Sequence, residues 1–195
     1  MKFHPDNRIA LFGTSADPPT IGHEKILEEL SKDYSFIVTY ASDNPNKTHR
    51  EHISIRSLLL KTLIEDINNS KIIFNQDISS QWAIESIYKC KNVYGFNELD
   101  FVIGSDLISQ IFTWKNFDKI IQEVKFLIIK REGYPIKSNT LKMLKTHNIV
   151  FKISSLNIPN ISSSMIRLNS NYSDLPKSLI DIVKKNNLYI SSKPN

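Results

Sequence analysis

Residues 9–23 read Ile9-Ala10-Leu11-Phe12-Gly13-Thr14-Ser15-Ala16-Asp17-Pro18-Pro19-Thr20-Ile21-Gly22-His23, and this stretch decides the fold. Ile9 to Phe12 form an apolar run with the length of a short buried strand. Past His23, the apolar residues Ile26, Leu27 and Leu30 recur at helical spacing. A turn bearing glycine and proline therefore carries the chain from a strand into an amphipathic helix, and Gly22 and His23 fall at the helix N-terminus. The first backbone N–H groups there have no partner within the helix and the helix dipole is positive, so an anion such as a phosphate is stabilised.

The alternation continues along the chain. Strands are expected at residues 35–40, 71–74, 101–103, 125–130 and 149–153. Ile55, Leu58, Leu59, Thr62 and Leu63 form a helical stripe. Further helices are expected over 82–91, in a short piece before the fifth strand, from Ser162 onward and over 177–185, where Pro176 suits the first turn. Strands alternating with helices on this scale imply parallel βαβ units with right-handed crossovers. The expected architecture is α/β, a doubly wound, mainly parallel sheet with C-terminal helices. No repeat or biased linker divides the 195 residues, so a single domain over 1–195 is expected, with loose termini at 1–7 and 190–195. Ligands of such sheets sit beyond the carboxyl ends of the strands, where strand order reverses. The turn after the first strand, Gly104-Ser105-Asp106 after the fourth, and a serine-rich stretch before Arg167 can all reach that edge.

That serine-rich stretch reads Asn160-Ile161-Ser162-Ser163-Ser164-Met165-Ile166-Arg167. Ser162 suits an N-cap. Arg167 follows Ser164 by three residues and Ser163 by four, which puts all three side chains on one helical face. Two hydroxyls and a guanidinium at one helix end make a second anion site.

Composition narrows the partners. Twenty-five Lys and Arg against twenty Asp and Glu give a net charge of +5, but the basic residues are spread out. No zinc-finger spacing, basic zipper or aromatic RNA-binding signature is present, so anionic small molecules are expected rather than nucleic acid. No apolar run approaches the roughly 20 residues that cross a bilayer. The polar start lacks a signal-peptide core, which gives the expectation of a soluble, cytoplasmic protein with no membrane partner. The lone Cys90 excludes an intrachain disulfide and reads as a structural thiol.

Thr20-Ile21-Gly22-His23, with Asp17-Pro18 before it, resembles the phosphate loop of the nucleotidyltransferase superfamily, and Ser162 to Arg167 resembles that superfamily's second signature. The resemblance narrows to bacterial nicotinate-nucleotide adenylyltransferases and covers nearly the whole chain. It is carried by Asn44-Pro45-Asn46-Lys47 with Arg56, by Phe101 to Asp106, by Thr113-Trp114, by Lys130-Arg131-Glu132-Gly133-Tyr134, and by Leu175-Pro176 through Leu188-Tyr189.

The resemblance implies a Rossmann-like nucleotidyltransferase fold and transfer of AMP from ATP to nicotinate mononucleotide, with Mg²⁺ on the ATP phosphates and no metal held by the protein alone. It implies catalytic roles for His23, Thr20 and Arg167, with His23 acting as a protonated donor to the α-phosphate. ATP contacts fall on Gly13, Thr14, Ser15, Gly22, His23, Gly104, Asp106, Ser163, Ser164 and Arg167. Acceptor contacts fall on Lys47, Trp82, Glu85, Asp106, Trp114 and Arg131. Trp114 can stack on a pyridine ring or pack in the core. Arg56 can bind a ligand or pair with an acid at the surface, and the surface pair is the expectation. The expected partners are ATP and a phosphorylated small-molecule acceptor, with a homo-oligomer left open.

Four positions depart from the family pattern. Thr20 stands where this branch usually has histidine, Thr14 replaces a glycine, and Ala16 replaces an aromatic. Trp82-Ala83-Ile84-Glu85-Ser86 stands where an aromatic-Thr-x-Asp-Thr run is usual, so a threonine hydroxyl is lost at Ala83. The alternatives are phosphopantetheine as the acceptor, or a nucleotide-binding protein of this fold without catalysis.

Overall fold

The computed structural model describes residues 8–45, 47–95, 98–158, 161–170 and 172–190. Of the expected loose ends, 1–7 and 190–195, all but Ile190 lie outside these residues, as do Asn46 and Asn160 of the motifs. Six strands, β1 (Ile9–Thr14), β2 (Phe36–Ala41), β3 (Ile72–Phe74), β4 (Asp100–Gly104), β5 (Lys125–Arg131) and β6 (Phe151–Ile158), form one sheet in the order β3-β2-β1-β4-β5-β6. Every neighbouring pair is parallel. The helices among the described residues are α1 (Ile21–Asp33), α2 (Ile53–Ile67), α3 (Ala83–Tyr94), α4 (Phe117–Glu123), α5 (Ser138–Thr146), α6 (Ser163–Asn169) and α7 (Lys177–Lys185). None is long and apolar enough to cross a membrane.

The continuous apolar run of β1 follows from burial on both faces, the usual condition of a parallel strand. Ala10 and Phe12 pack with Leu27 of α1, Leu63 of α2 and Leu179 and Val183 of α7. Ile9 and Leu11 face the opposite layer, with Ile87 and Cys90 of α3, Ile120 of α4 and Leu144 of α5. Full burial of a side chain such as Leu11 contributes about 2 kcal/mol. Cys90 is buried in that second layer, and burial pushes its thiol up to about 12. It is a packing residue.

Strand order reverses between β1 and β4. These two strands pair through Ala10–Asp100 and Leu11–Phe101. Beyond that pairing, Phe12 to Thr14 on one side and Val102 to Gly104 on the other line a cavity of about 520 Å³. The crevice lies at the carboxyl ends of the strands, where open α/β sheets bind ligands.

Three elements differ from the sequence expectation. The sixth strand runs from Phe151 to Ile158 instead of over 149–153. It is a sheet edge, so Lys152, Ser155 and Asn157 are exposed and the apolar run is broken. Its extra length brings Ile158 to the cavity wall and the serine motif to the site. Helix α5 was not expected, because Leu144 is its one fully buried residue and lysines surround it. The third helix also continues past Lys91 to Tyr94 and ends on Gly95, whose φ of 73° suits a left-handed cap.

Candidate functional site

Thr20 is the N-cap of α1. Its backbone N–H donates to His23 Nδ1 at 3.0 Å, and its hydroxyl lies 2.8 Å from the same nitrogen. His23 thereby takes the place that Glu or Gln holds in an ordinary capping box. Because Nδ1 accepts from a backbone N–H, the neutral ring carries its proton on Nε2 and can donate from there. Burial first, then the charges of Arg131 and Lys47, pull the His23 pKa down to about 4. Before an anion arrives, the ring therefore favours its neutral form; the protonated donor expected from sequence belongs to the state with a triphosphate beside it. Thr20, 1% exposed, turns its hydroxyl toward His23, so it orients that ring.

The two distant motifs meet at Asp17 and Pro18. Asp17 is 1% exposed and its carboxylate accepts from the backbone N–H groups of Arg50 and Glu51, at 2.7 and 3.2 Å. Arg167 Nη1 donates to the Asp17 carbonyl at 2.6 Å and lies 3.7 Å from its carboxylate. The Ser163 hydroxyl donates to the Pro18 carbonyl at 2.7 Å, across a cis Asp17–Pro18 peptide. Ser162 caps α6 by accepting from the Met165 N–H. Ser164 Oγ accepts from Arg167 Nη2 at 3.0 Å, which leaves the Ser164 proton available to a ligand. The Ser163 proton is committed to the loop, so Ser163 acts first as a tether.

Arg56 is the clearest correction to the sequence reading. It is not a surface residue but is 1% exposed. Its guanidinium donates to the carbonyls of Ser15, Ser42 and Glu51 at 2.7, 2.8 and 3.0 Å and pairs with Asp43 at 2.8 Å. A planar group with five donors can join several backbone segments at once, which a lysine cannot. Arg56 fixes the phosphate loop to the segment after β2. Asp17, the second anchor of this loop, was read only as part of the Asp-Pro pattern; its burial has no local sequence signal.

At the ends of β4 and β5, Arg131 pairs with Asp106 at 3.0 Å and donates to the Ile161 carbonyl at 3.1 Å. The other Asp106 carboxylate oxygen is buried without a protein partner among the described residues. A Cβ on Gly104 would collide with that oxygen, and one on Gly13 would lie 2.6 Å from the Tyr40 ring, so both glycines permit close approach. Thr14 accepts from the Ala16 N–H at 3.3 Å. The left-handed backbone of the turn falls on Ala16, φ 47°, and not on Thr14, so the lost glycine imposes no positive-φ strain there. Lys47 Nζ donates to Ser15 Oγ at 3.4 Å.

Every site residue expected from sequence lines the cavity except Glu85. Glu85 is exposed and accepts a hydrogen bond from the Ser80 hydroxyl. Trp114 lines the cavity and also packs edge-on against Phe101 with ring centroids 6.1 Å apart. Lys115, missed in the sequence, places its Nζ 4.6 Å from the centroid of the Trp82 ring. Among the described residues no three His, Cys, Asp or Glu side chains gather to hold a metal ion.

A parallel sheet with a helix N-terminus at its switch point, facing a Ser/Arg helix across one cavity, defines a nucleotidyltransferase-type site. The cytidylyltransferase-like family model matches residues 11–169, and the chain belongs to this family. Within the family it is similar to two bacterial relatives, each named "Probable nicotinate-nucleotide adenylyltransferase". The one from Nitratiruptor sp. is 31% identical over 87% of this chain and 92% of its own length. The one from Synechocystis sp. is 29% identical over 93% and 98%. Among solved structures, Plasmodium falciparum nicotinic acid mononucleotide adenylyltransferase complexed with NaAD superposes with a TM-score of 0.75. Its identity is 26%, covering 94% of this chain and 97% of that one.

Proposed function

We propose that this protein transfers the adenylyl group of ATP to nicotinate mononucleotide, forming nicotinate adenine dinucleotide and pyrophosphate, in the cytoplasm. The observation that carries the reading is the Arg167–Asp17 joint, which brings both anion-binding motifs to one cavity.

A phosphate oxygen of the acceptor attacks the α-phosphorus of ATP. The bond to the β-phosphate oxygen breaks, and pyrophosphate leaves with that electron pair. No covalent enzyme intermediate is needed. The protein has to hold two anions in line and stabilise the charge that accumulates on the α-phosphate, so positioning and electrostatics supply the catalysis. His23 donates from Nε2 to a non-bridging α-phosphate oxygen, and Thr20 holds the ring in the tautomer that can do so. Arg167 and the Ser164 hydroxyl take the β- and γ-phosphates, Lys47 and Arg131 add charge, and the backbone from Gly13 to Ser15 and at Gly22 and Gly104 borders the nucleotide. Trp82, Trp114 and Asp106 border the acceptor. Mg²⁺ enters with ATP as part of the substrate and offsets the charge of the phosphates.

Pyrophosphate release with ATP and a panel of acceptors tests this reading. Turnover is expected with nicotinate mononucleotide. Turnover with phosphopantetheine alone, or ATP binding without pyrophosphate release, would replace it with one of the two alternatives.

A further inference from the structure

The phosphate loop is tied to the far end of the chain. Arg50 makes the link: its backbone N–H donates to the Asp17 carboxylate at 2.7 Å, and its Nη2 donates to the Ile190 carbonyl at 2.6 Å. Just before Ile190, the carbonyls of Leu188 and Tyr189 accept from the hydroxyls of Tyr172 and Ser170, at 3.2 and 3.3 Å. Tyr189 has a left-handed backbone, φ 58°, a conformation that a bulky residue keeps only where its surroundings fix it. Its side chain is 1% exposed and packs in the same core as Ala16 of the loop and Val183 of α7.

The Tyr189 hydroxyl is buried without a hydrogen bond among the described residues. A buried polar group without a partner costs free energy. Burial first and the neighbouring Asp17 carboxylate second push the phenol pKa up, so the hydroxyl stays protonated and able to donate. Asp17 has room for a further donor. Each of its carboxylate oxygens takes one backbone N–H, from Arg50 and Glu51, and Arg167 stands 3.7 Å from Oδ2. Arg167 also lines the cavity. A phosphate that draws the guanidinium toward itself takes away the cation paired with a carboxylate that is 1% exposed. A buried charge that loses its partner needs another.

We propose that Tyr189 is a positioning residue for nucleotide binding: when the ATP phosphates engage Arg167, the Tyr189 hydroxyl donates to the Asp17 carboxylate and holds the phosphate loop in place. This rests on the adenylyl-transfer reading above, in which Arg167 takes the β- and γ-phosphates. The segment after α7 thereby supports the site from behind, since Tyr189 does not itself line the cavity. The hydroxyl is unbonded in the ligand-free protein and bonded in the complex. Its contribution therefore falls on ATP affinity and not on the stability of the ligand-free fold. A hydrogen bond to a charged group corresponds to roughly 10- to 100-fold in affinity.

The experiment compares the parent protein with Tyr189→Phe by urea unfolding without nucleotide, by the Kd of a non-hydrolysable ATP analogue and by pyrophosphate release. Phenylalanine keeps the ring and removes only the hydroxyl. Tyr189→Phe is expected to unfold at the same or a slightly higher urea concentration, to bind the analogue at least about 10-fold more weakly, and to keep its KM for the acceptor. A lower urea midpoint would make the hydroxyl a structural donor, and an unchanged affinity would make it a spectator; either overturns the proposal. In an Arg167→Met background Asp17 lacks its cation from the start, so there the loss of the hydroxyl should lower the urea midpoint. Absence of that reversal overturns the exchange between Arg167 and Tyr189. If the parent bound the analogue but released no pyrophosphate with any acceptor, adenylyl transfer would fail, and the affinity comparison would still decide the role of Tyr189. A parent that bound no analogue would overturn both.

Discussion

Arg167 Nη1 donates to the Asp17 carbonyl oxygen at 2.6 Å, joining residues 150 positions apart into one wall of the cavity. The second prong of the guanidinium, Nη2, donates to Ser164 at 3.0 Å. Lysine keeps the charge but has a single flexible ammonium in place of a rigid fork. Arg167→Lys is therefore expected to lose alignment between the motifs. Its kcat/KM should fall at least about 10-fold, the scale of one hydrogen bond to a charged group. Steady-state pyrophosphate release measures this. A lysine variant with full activity would mean that charge alone matters at this position and the geometry of the joint does not.

His23 connects stability, pH and ligand. Its pKa is pulled down to about 4 from an ordinary 6.5. Acidification therefore protonates the unfolded chain before the folded one. The stabilisation is complete above pH 6.5, is lost progressively as pH falls toward about 4, and changes no further below that. The full loss is about 3 kcal/mol. His23→Asn, which does not titrate, should flatten this part of the pH–stability curve measured by denaturant unfolding. A bound triphosphate should raise the imidazole pKa, because an adjacent anion favours the charged ring. An NMR titration of the ring proton with and without a non-hydrolysable ATP analogue reports that shift. In turnover, His23→Ala should lose about 100-fold or more in kcat with little change in the KM for ATP, since its bond strengthens as charge develops. Equal losses in both would make His23 a ground-state contact.

The sheet and the site were legible in the sequence to different depths. Strands β1, β2, β4 and β5 are continuous apolar runs because helices cover both faces, and such runs stand out. Strand β6 and helix α5 lie at the periphery, where a single residue of each, Ile158 and Leu144, is fully buried and the pattern fades. The two motifs that line the cavity were legible, since hydroxyls, a guanidinium and a glycine at helix starts are a local signal. Burial of a charge is not local. Arg56 and Asp17 are held by partners far along the chain, and composition alone favours placing such residues at the surface. The lowered pKa of ligand-free His23 has no local signal for the same reason, because it depends on burial and on Arg131 and Lys47 from other elements.

Arg56 offers a direct test of that distinction. An exposed ion pair contributes about 0–1 kcal/mol. Arg56 instead bonds three backbone carbonyls from inside the protein. Arg56→Met would leave those acceptors and Asp43 without their donor, and the expected destabilisation is about 3–5 kcal/mol. Urea denaturation of the ligand-free protein measures it. A loss below about 1 kcal/mol would return Arg56 to the surface-pair class.

Gly13 tests how tightly the nucleotide loop is packed. A Cβ there would lie 2.6 Å from Cζ and the hydroxyl oxygen of Tyr40, a contact that requires the ring to move. Tyr40 is 2% exposed, and the open space beside it is the cavity that it lines. Gly13→Ala is therefore expected to push the ring toward the nucleotide, costing about 1–3 kcal/mol of stability by overpacking. The same movement should raise the KM for ATP. Shortening the neighbour in the double variant Gly13→Ala/Tyr40→Leu removes the collision, so the two changes should be non-additive, with a coupling of about 1 kcal/mol or more in the unfolding cycle. Strict additivity would mean that the loop backbone, and not the ring, gives way. The KM for ATP separates the two routes again: it should recover in the double variant only if the displaced ring was the obstruction.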